Sequence, residues 1–387
     1  MSSAWLLPEH IADVLPAEAR RIEELRQTWL EMARSYGFEL VLPPLLEHLD
    51  SLLTGAGHEL DLRTFKLVDQ LSGRTLGLRA DSTPQVARID AHLLNRQGVT
   101  RLCYCGPVLH TRPQGPQATR EPLQLGAEIY GHAGLEADLE IQELALDGLR
   151  ASRVSDQVLD LSDARILRGV FAGIDVAVTE RSALEAALAT KNADRVAALS
   201  SAMPAGVRQG LLALLQLYGD AGVLDSAREQ LPANALIAQA LSELAWMAGH
   251  VASAYPLVRV GFDLADIGGH GYYSGIRFAV YAKGASDAVL RGGRYDEIGA
   301  VFGRNRPAVG FSADLKTLVG HAAAASRRTA VRAPWSEDPA LRATIRQLRA
   351  QGEIVVCALP GHDQETDEFD CDRALVAVAN EWVLRAI

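Results

Sequence analysis

The chain has 387 residues, of which 48% are hydrophobic and 22% are charged. This composition is typical of a globular protein with a sizeable core, and it excludes a disordered or fibrous one. The length corresponds to one large domain or, more commonly, to two or three. The formal net charge of −10 excludes a protein that holds nucleic acid through a generally basic surface, although a local basic patch is compatible with it.

The cysteines and the apolar segments indicate a reduced, cytoplasmic protein. Four cysteines do not form a disulfide framework in this length, and Cys103 and Cys105 share one strand face without further ligands nearby, so we expect no metal and no cofactor. The N-terminus lacks the basic and apolar regions of a signal peptide. The longest apolar window, residues 237–258, contains Glu243 and His250, so we expect no membrane span and no membrane partner.

The first part of the chain predicts alternating helices and strands. Apolar residues recur at three- and four-residue spacing from Pro16 to Tyr36, which predicts a helix, and Gly37 stands where helices favour a left-handed residue. The predicted elements that follow are a strand at 38–43, a hairpin of strands at 64–68 and 75–78, a helix at 82–96, strands at 101–110 and 123–131 around a proline-rich loop, and a helix at 136–151.

The pattern changes after Asp175. Residues 179–255 are rich in Ala and Leu and contain helix-length segments between breaks, which predicts a helical insertion. The predicted elements that follow are strands at 258–263, at 275–282 and near 288. After them come the Gly-Gly-Arg-Tyr-Asp run at 292–296, a helix at 312–320, a linker at 321–326, and a last piece with a helix at 338–351, a strand at 353–359 and a closing helix from 372.

These elements predict an α+β protein in which helices gather on one side of a mostly antiparallel sheet. We expect a main domain made of residues 1–178 and 256–320, interrupted by the helical insertion at 179–255. Residues 327–387 are expected to form a small C-terminal α/β segment.

Several segments occur in the order typical of the catalytic core of class II aminoacyl-tRNA synthetases, and the chain resembles the histidyl-tRNA synthetases in particular. The resemblance covers residues 8–320 and implies the synthetase-like core fold. Residues 35–44 are similar to the first, dimer-forming motif of that class. The other segments that carry the resemblance are Leu78–Arg88, Tyr104–Pro107 with Gln124–Gly131, Gly271–Ser274, Gly292–Asp296 and Ala308–Ser312.

The chain departs from the synthetases at the arginines that hold ATP and the aminoacyl adenylate. Leu109 or His110 stands at the expected arginine of the second motif, glycines 268–269 at that of the histidine motif, and Thr317 at that of the third motif. Losing one such cation costs about a hundred- to a thousandfold in rate. Lys316 is one residue away and does not replace a planar guanidinium. We therefore expect a chain without adenylate chemistry, and its short C-terminal piece implies that it binds no tRNA.

The strand predicted around residues 123–130 alternates apolar and polar side chains. Gln124, Gly126 and Glu128 share one face, and at about 3.3 Å per residue the two polar residues lie about 13 Å apart. Gly126 predicts an open floor between them. On this pattern alone, an edge strand with one solvated face is the favoured interpretation, and a ligand site is the alternative.

The resemblance to the synthetases favours the ligand site, because it implies that the amino-acid pocket is retained. Asp81 stands where the family has a glutamate. Its side chain is shorter, but its carboxylate can still pair with the ammonium group of an amino acid. Tyr272 and Tyr273 match the pair that lines the imidazole pocket in the family, although ordinary core packing is an equally good interpretation of these two residues from the sequence alone. The residues that the resemblance assigns to histidine binding are Asp81, Thr83, Gln124, Glu128, Tyr272 and Tyr273.

Two arginines lie in the loop that meets ATP in active synthetases. Arg112 and Arg120 are therefore candidates for contact with a phosphate-bearing ligand or with a protein partner. Solvated loop charges are an equally good interpretation.

A synthetase-like core of this kind is similar to the regulatory subunits of ATP phosphoribosyltransferase, paralogues of histidyl-tRNA synthetase that act in histidine biosynthesis. The resemblance implies a non-catalytic subunit that is required by a short-form catalytic subunit and that senses histidine for feedback inhibition. It also implies a dimer through the first motif and a hetero-octamer with the catalytic subunit. The alternatives are an active histidyl-tRNA synthetase or other amino-acid ligase on the same core, and an amino-acid sensing module of another kind.

Overall fold

The computed structural model describes residues 6–54, 58–115, 118–266, 273–322, 328–362, 369–379 and 381–387. The chain divides into two compact units, Met1–Ala323 and Ala324–Ile387. The finer domain boundaries expected inside the first unit, at 178 and 255, stay predictions.

Helices and strands alternate along both units. The helices are α1 (Pro16–Ser35), α2 (Leu49–Leu53), α3 (His58–Arg63), α4 (Thr83–Arg88), α5 (Leu135–Ala151), α6 (Ala164–Val170), α7 (Val178–Ala189), α8 (Ala193–Leu199), α9 (Ala205–Leu214), α10 (Gly222–Gln230), α11 (Ala235–Ala254), α12 (Leu315–His321) and α13 (Pro339–Ala350), with a π-helical turn at Ile89–Leu94 and a 3₁₀ turn at Ala300–Phe302.

The strands of the first unit are β1 (Glu39–Leu40), β2 (Leu46–His48), β3 (Phe65–Val68), β4 (Thr75–Leu78), β5 (Thr100–Pro107), β6 (Leu123–Tyr130), β7 (Val158–Asp163), β8 (Tyr218–Gly219), β9 (Arg259–Asp263), β10 (Ile276–Tyr281), β11 (Leu290–Arg294) and β12 (Ala308–Asp314). The strands of the second unit are β13 (Arg328–Pro334), β14 (Val355–Ala358), β15 (Phe369–Val378) and β16 (Glu381–Ala386).

The main sheet of the first unit has the strand order β1-β5-β6-β12-β11-β10-β7-β9-β8 within the described residues. Neighbouring strands from β5 to β7 in this order are antiparallel, whereas β1 with β5 and β7 with β9 are parallel. The predicted α+β class with a mostly antiparallel sheet is therefore confirmed. The predicted hairpin is also confirmed, because β3 and β4 pair in antiparallel register and β2 joins them in a separate sheet.

One face of the main sheet carries the large apolar core. Helix α1 buries Ile22, Trp29 and Ala33, which follow one another at helical spacing, and the Trp29 ring lies 5.8 Å from the ring of Phe311 on β12. A side chain at Gly148 of α5 would collide with the Trp29 ring, so this glycine lets the two helices approach closely. Buried residues of α7 to α11 belong to the same core, so the inserted helices share it with the sheet.

The opposite face of the sheet is covered over β5 and β6 by α4 and the π-helical turn that continues it. A second, smaller core forms there, and it contains several tyrosines. Pro84 occupies the first turn of α4, where its missing N–H costs no helical hydrogen bond. This smaller core lies on the face to which Gln124 and Glu128 point.

The second unit differs from the prediction at its C-terminus. Helix α13 and strand β14 lie where they were expected, but the predicted closing helix from 372 is wrong, because β15 and β16 form an antiparallel hairpin there. Ala379 lies between the two strands with a left-handed φ of 48°. Strand β15 also pairs with β13. The backbone hydrogen bonds of this pairing outweigh the helix propensity of the local sequence. Strand β13 was not predicted.

Three boundaries in the first unit also differ from the sequence-based expectation. The strand expected at 38–43 is reduced to Glu39–Leu40, and the helix expected from 82 to 96 becomes π-helical after Arg88. The helix expected from 312 begins only at Leu315. The preceding residues belong to β12, and the side chain of Asp314 caps the helix by accepting a hydrogen bond from Lys316 N at 3.1 Å.

Candidate functional site

Strand β6 divides its side chains between the two faces of the sheet, as the alternation predicts. Leu125, Ala127 and Ile129 are buried in the large core. Gln124 and Glu128 point to the other face, where residues at the beginning of α4 meet them. Because β5 pairs with all of β6 and β12 pairs with residues 124–130, the positions of these two side chains are fixed by two hydrogen-bonded neighbours.

Gln124 ties β6 to the turn that leads into α4. Its Oε1 accepts a hydrogen bond from Ser82 N at 2.9 Å, and its Nε2 donates to Asp81 Oδ1 at 2.8 Å. The same Asp81 oxygen accepts from Thr83 N at 3.0 Å. The half-buried Asp81 carboxylate is thus oriented from two sides through Oδ1. Its second oxygen, Oδ2, takes part in neither of these contacts and is the acceptor that a ligand could use.

Glu128 is 1% exposed and forms the deepest polar group of the site. Its Oε1 accepts hydrogen bonds from Thr83 Oγ1 at 3.2 Å and from Tyr104 Oη at 3.1 Å. Its Oε2 has no hydrogen-bond partner among the described residues. Burial, with a smaller contribution from the negative charge of Asp81, raises the pKa of the Glu128 carboxyl well above its usual range. A buried carboxyl with one unsatisfied oxygen is suited to accept an N–H donor from a ligand.

The floor over Gly126 is occupied, so the prediction of an open floor is wrong. Tyr104, the cross-strand partner of Gly126 on β5, leans its ring over the glycine, and any side chain at 126 would collide with it. The glycine therefore makes room for a tyrosine that binds Glu128. The sequence does not reveal this because the two residues lie 22 positions apart.

A cluster of tyrosines surrounds Glu128. Tyr104, Tyr130, Tyr273 and Tyr295 all belong to the smaller core of the first unit. Burial raises the pKa of the Tyr130 hydroxyl, and Glu128 adds to the shift. Tyr295 was missed as a site residue, although the Gly-Gly-Arg-Tyr-Asp run that contains it was noted. A side chain at Gly310 of β12 would collide with both Glu128 Oε2 and Tyr295 Oη, which places the tyrosine beside the carboxyl.

Tyr273 is held from two directions. The guanidinium of Arg277 lies over its ring, 5.6 Å from the centroid, and Arg168 Nη2 of α6 donates to its carbonyl oxygen at 2.9 Å. Burial raises the pKa of the Tyr273 hydroxyl. Tyr272, the other tyrosine expected in the pocket, lies outside the described residues, as do glycines 268–269.

The structure therefore brings together Asp81, Thr83, Gln124 and Glu128 in one hydrogen-bonded group, with Tyr273 in the same small core.

The expected arginine position of the second motif is occupied by a buried histidine. His110 is 3% exposed, and its Nε2 lies 3.0 Å from Arg63 Nη2 and 2.9 Å from Ala80 O. Burial, together with the positive charge of Arg63, lowers the pKa of His110, so the imidazole is neutral near pH 7. Leu109, the other aligned residue, is not a cation either.

The expected arginine position of the third motif belongs to a helix cap. Thr317 is exposed and donates from Oγ1 to Asp314 Oδ2 at 2.8 Å, and Asp314 also accepts from Leu123 N at 2.9 Å. The neighbouring Lys316 forms an ion pair with Glu121 at 3.3 Å. Thr317 and Lys316 are therefore each bound to an acidic side chain of the fold, and Thr317 carries no charge that could stabilise an adenylate.

The two loop arginines differ in their surroundings. Arg120 donates from Nε to His110 O at 3.0 Å, and its guanidinium lies 5.2 Å from the centroid of the Phe65 ring, so it supports the loop. Arg112 is exposed. Within the residues that the structure describes, no group of three or more His, Cys, Asp or Glu side chains is arranged to hold a metal ion, and no helix is long and apolar enough to cross a bilayer.

Comparison with known proteins identifies the family. The family model described as histidyl-tRNA synthetase matches residues 10–318, and the model described as the ATP phosphoribosyltransferase subunit HisZ C-terminal domain matches residues 328–385. The ATP phosphoribosyltransferase regulatory subunit of Albidiferax ferrireducens is 62% identical over 385 residues, with all of both chains covered. This chain belongs to the ATP phosphoribosyltransferase regulatory subunits. The regulatory subunits of an Acidovorax species and of Cupriavidus taiwanensis are 63% and 58% identical, and at least 99% of each chain is covered.

Solved structures agree with this fold. The ATP phosphoribosyltransferase regulatory subunit/histidyl-tRNA synthetase from Bacillus halodurans has a TM-score of 0.83 at 24% identity, covering 96% of this chain and 98% of that one. Histidyl-tRNA synthetase from Nostoc has a TM-score of 0.75 at 20% identity, covering 99% of this chain and 94% of that one. The predicted synthetase-like core and the predicted assignment to a regulatory rather than a catalytic subunit are therefore confirmed.

Proposed function

We propose that this regulatory subunit is the histidine sensor of its ATP phosphoribosyltransferase, required for activity of a short-form catalytic subunit and for feedback inhibition in histidine biosynthesis. The observation that carries the proposal is the combination of two features in one fold. The polar groups expected for an amino-acid pocket are assembled around β6, whereas two of the expected arginine positions hold His110 and Thr317. A pocket that binds without reacting is suited to a sensor.

The polarity of the pocket supports histidine as its ligand. The Asp81 carboxylate and the Thr83 hydroxyl offer acceptors to an ammonium group, and Gln124 orients that carboxylate. Four residues further along β6 than Gln124, Glu128 offers Oε2 to an imidazole N–H inside a cluster of tyrosines. Aromatic walls with an acid at the end match a ligand that is itself aromatic and carries an N–H donor.

Feedback by such a pocket requires that histidine bind two states of the complex with different affinity, because a ligand shifts an equilibrium only by its differential affinity. The fold offers a connection between the pocket and the inserted helices. Arg168 of α6 binds the backbone of Tyr273, and Arg165, one turn earlier, forms ion pairs with Asp163 and with Glu243 of α11. A displacement of Tyr273 would therefore be transmitted through Arg168 to α6, and through Arg165 and Glu243 to α11.

A dimer through the first motif is part of the proposal, together with a hetero-octamer containing the catalytic subunit. Leu40, Leu42, Leu45 and Leu46 follow α1 and are each between 41% and 72% exposed, a concentration of apolar surface that favours burial in an interface. We expect Leu42→Glu to convert the dimer to monomers in sedimentation-velocity experiments. Unchanged sedimentation of that variant would contradict a dimer through this surface.

The decisive experiment measures phosphoribosyl transfer from PRPP to ATP by the short catalytic subunit, with and without this chain, and then with histidine. We expect activity that depends on the chain and falls as histidine is added. Activity without the chain, or no response to histidine, would contradict the corresponding half of the proposal. Histidine-dependent pyrophosphate exchange by the chain alone would instead favour an active ligase on this core.

A further inference from the structure

Arg63, at the end of α3, is a half-buried cation that has no acidic partner among the described residues. Its Nη2 lies 3.0 Å from His110 Nε2, and in the orientation that satisfies both groups the side-chain oxygen of Gln114 accepts from Arg63 Nη1 at 3.1 Å. Its Nε is buried without a hydrogen-bond partner. Both of its contacts are uncharged, because the pKa of His110 is lowered by burial and by Arg63 itself. Within the part of the chain that the structure describes, the positive charge at this point is therefore not neutralised.

The position of this charge is next to the ammonium end of the proposed histidine pocket. His110 Nε2, which touches Arg63, also lies 2.9 Å from the carbonyl oxygen of Ala80, the residue before Asp81. The negative charge of Asp81 acts on His110 as well, in the direction that raises its pKa, so Asp81 and Arg63 both belong to the surroundings of this imidazole. His110 is 3% exposed, and its Nδ1 has no hydrogen-bond partner within the described residues.

An amino acid carries its ammonium and carboxylate groups on the same carbon atom. A pocket that places an acid beside the ammonium therefore needs a donor, preferably a cation, a few ångströms away for the carboxylate. Four neighbouring cations are already engaged, namely Arg79 with the carbonyl oxygens of Pro43 and Pro107, Arg88 with Glu47, Arg120 with the carbonyl oxygens of His110 and Glu9, and Lys316 with Glu121. Arg112, in the same loop as Arg120, is exposed, whereas Arg63 is half-buried against His110.

We propose that Arg63 binds the carboxylate of the histidine effector, and that His110 is the positioning residue that holds the guanidinium beside Asp81. This inference rests on the proposed function and adds to it a residue from α3. A guanidinium is suited to the role because its fork of N–H donors matches the two oxygens of a carboxylate. Arg63 would make the pocket select the free amino acid over analogues that lack the acid group.

The test compares two ligands that differ only at the carboxylate. Isothermal titration calorimetry is carried out with L-histidine and with L-histidinol, in which an uncharged alcohol replaces the acid, on the full chain and on Arg63→Gln. We expect the unmodified chain to prefer histidine, and Arg63→Gln to lose about 10- to 100-fold of its affinity for histidine while changing its affinity for histidinol by less than about threefold. Arg74→Gln, the same substitution in the exposed β3–β4 turn, is the matched control and should leave both affinities unchanged.

Two outcomes would overturn the inference. Equal losses for histidine and histidinol would mean that Arg63 only maintains the loop, and unchanged affinity for histidine would mean that it does not touch the ligand. Should Arg63→Gln fail to fold, Arg63→Lys replaces it, and we expect that variant to bind histidine more weakly while still preferring it to histidinol; loss of that preference would count against the proposal. If the unmodified chain binds neither ligand, the proposed function itself fails, which is a distinguishable result.

Discussion

Two carboxyl groups on neighbouring strands have opposite surroundings. Glu128 on β6 and Asp314 on β12 point to the same face of the sheet, and burial raises the pKa of both. Asp314 receives hydrogen bonds from Leu123 N, Lys316 N and Thr317 Oγ1, so its acceptor capacity is used by the fold. Glu128 receives two on one oxygen and none on the other among the described residues. The difference separates a carboxyl whose oxygens are used by the fold from one that keeps an unbonded oxygen and that we propose as a ligand-binding group.

The largest effect is expected from Glu128→Ala. Removing a buried acceptor that pairs with a ligand N–H should weaken histidine binding by about 100-fold or more, because the ligand donor then loses its partner in a water-excluded site. Activation of the catalytic subunit should persist, since the variant lacks only the sensing group. Calorimetry measures the binding, and the phosphoribosyl-transfer assay with and without histidine measures the feedback. Glu136→Ala, at an exposed position of α5, is the control, and retained feedback in Glu128→Ala would exclude this pocket.

Asp314→Ala tests the other side of the comparison. Losing the helix cap of α12 and the acceptor for Leu123 N should lower the free energy of unfolding by about 2–3 kcal/mol. Urea unfolding followed by circular dichroism measures this change. Histidine affinity of the folded variant should stay within about threefold of the parent chain, because the carboxylate is not expected to touch the ligand. A loss of affinity as large as that of Glu128→Ala would remove the distinction between the two groups.

The pH dependence of stability sharpens the comparison further. The pKa of Glu128 is raised in the folded chain, so its contribution to stability is present below the unfolded-state pKa and is lost as the pH rises through the folded-state pKa. The Glu128→Gln variant has no ionisable group at this position, so it does not lose stability in this way as the pH rises. Its stability relative to the parent should therefore increase by about 1.4 kcal/mol for each pH unit between those two pKa values. Urea unfolding at pH 5, 6.5 and 8 measures it, and a constant difference would contradict the assigned pKa direction.

The smallest effect is expected from Thr317→Arg. Placing one guanidinium at the start of α12 should not produce histidine-dependent pyrophosphate exchange, because the expected second-motif arginine position, Leu109 or His110, still holds no cation. An exchange assay with radiolabelled pyrophosphate should remain at background for both the parent and the variant. Exchange above background in the variant would show that a single position separates the regulatory subunit from a ligase.

The sequence predicted the strands of the sheet and the face on which polar residues of β6 lie better than the contacts between side chains. Alternation along β6 correctly placed Gln124 and Glu128 on one face, because a strand has a strict period of two. It could not reveal that Tyr104 covers Gly126 or that Tyr295 lies beside Gly310, since both contacts depend on the register between strands. Register follows from pairing across long stretches of the chain, which a single sequence does not display.

The errors at the C-terminus have a different origin. Residues 372–387 contain many of the Ala and Leu residues that favour a helix, yet they form strands. The pairing of β15 with both β13 and β16 provides backbone hydrogen bonds on each side of the strand, and Leu375 is buried in a core beneath α13. Local propensity is a weak term that such tertiary pairing readily overrides. Arg63 was missed for a related reason, because nothing near it in sequence indicates that it reaches His110.

Strand β6 serves the core with one set of alternate residues and the pocket with the other. A shift of one residue in its pairing would put Leu125 and Ile129 into the pocket and Gln124 and Glu128 into the core, and both ladders that flank the strand would have to break first. The arrangement of Gln124 and Glu128 is therefore maintained by the same strand pairing that stabilises the sheet as a whole. If the proposed pocket senses histidine, a slip of this strand would abolish sensing and unfold the sheet together, so sensing could not be lost by a gradual shift of β6 alone.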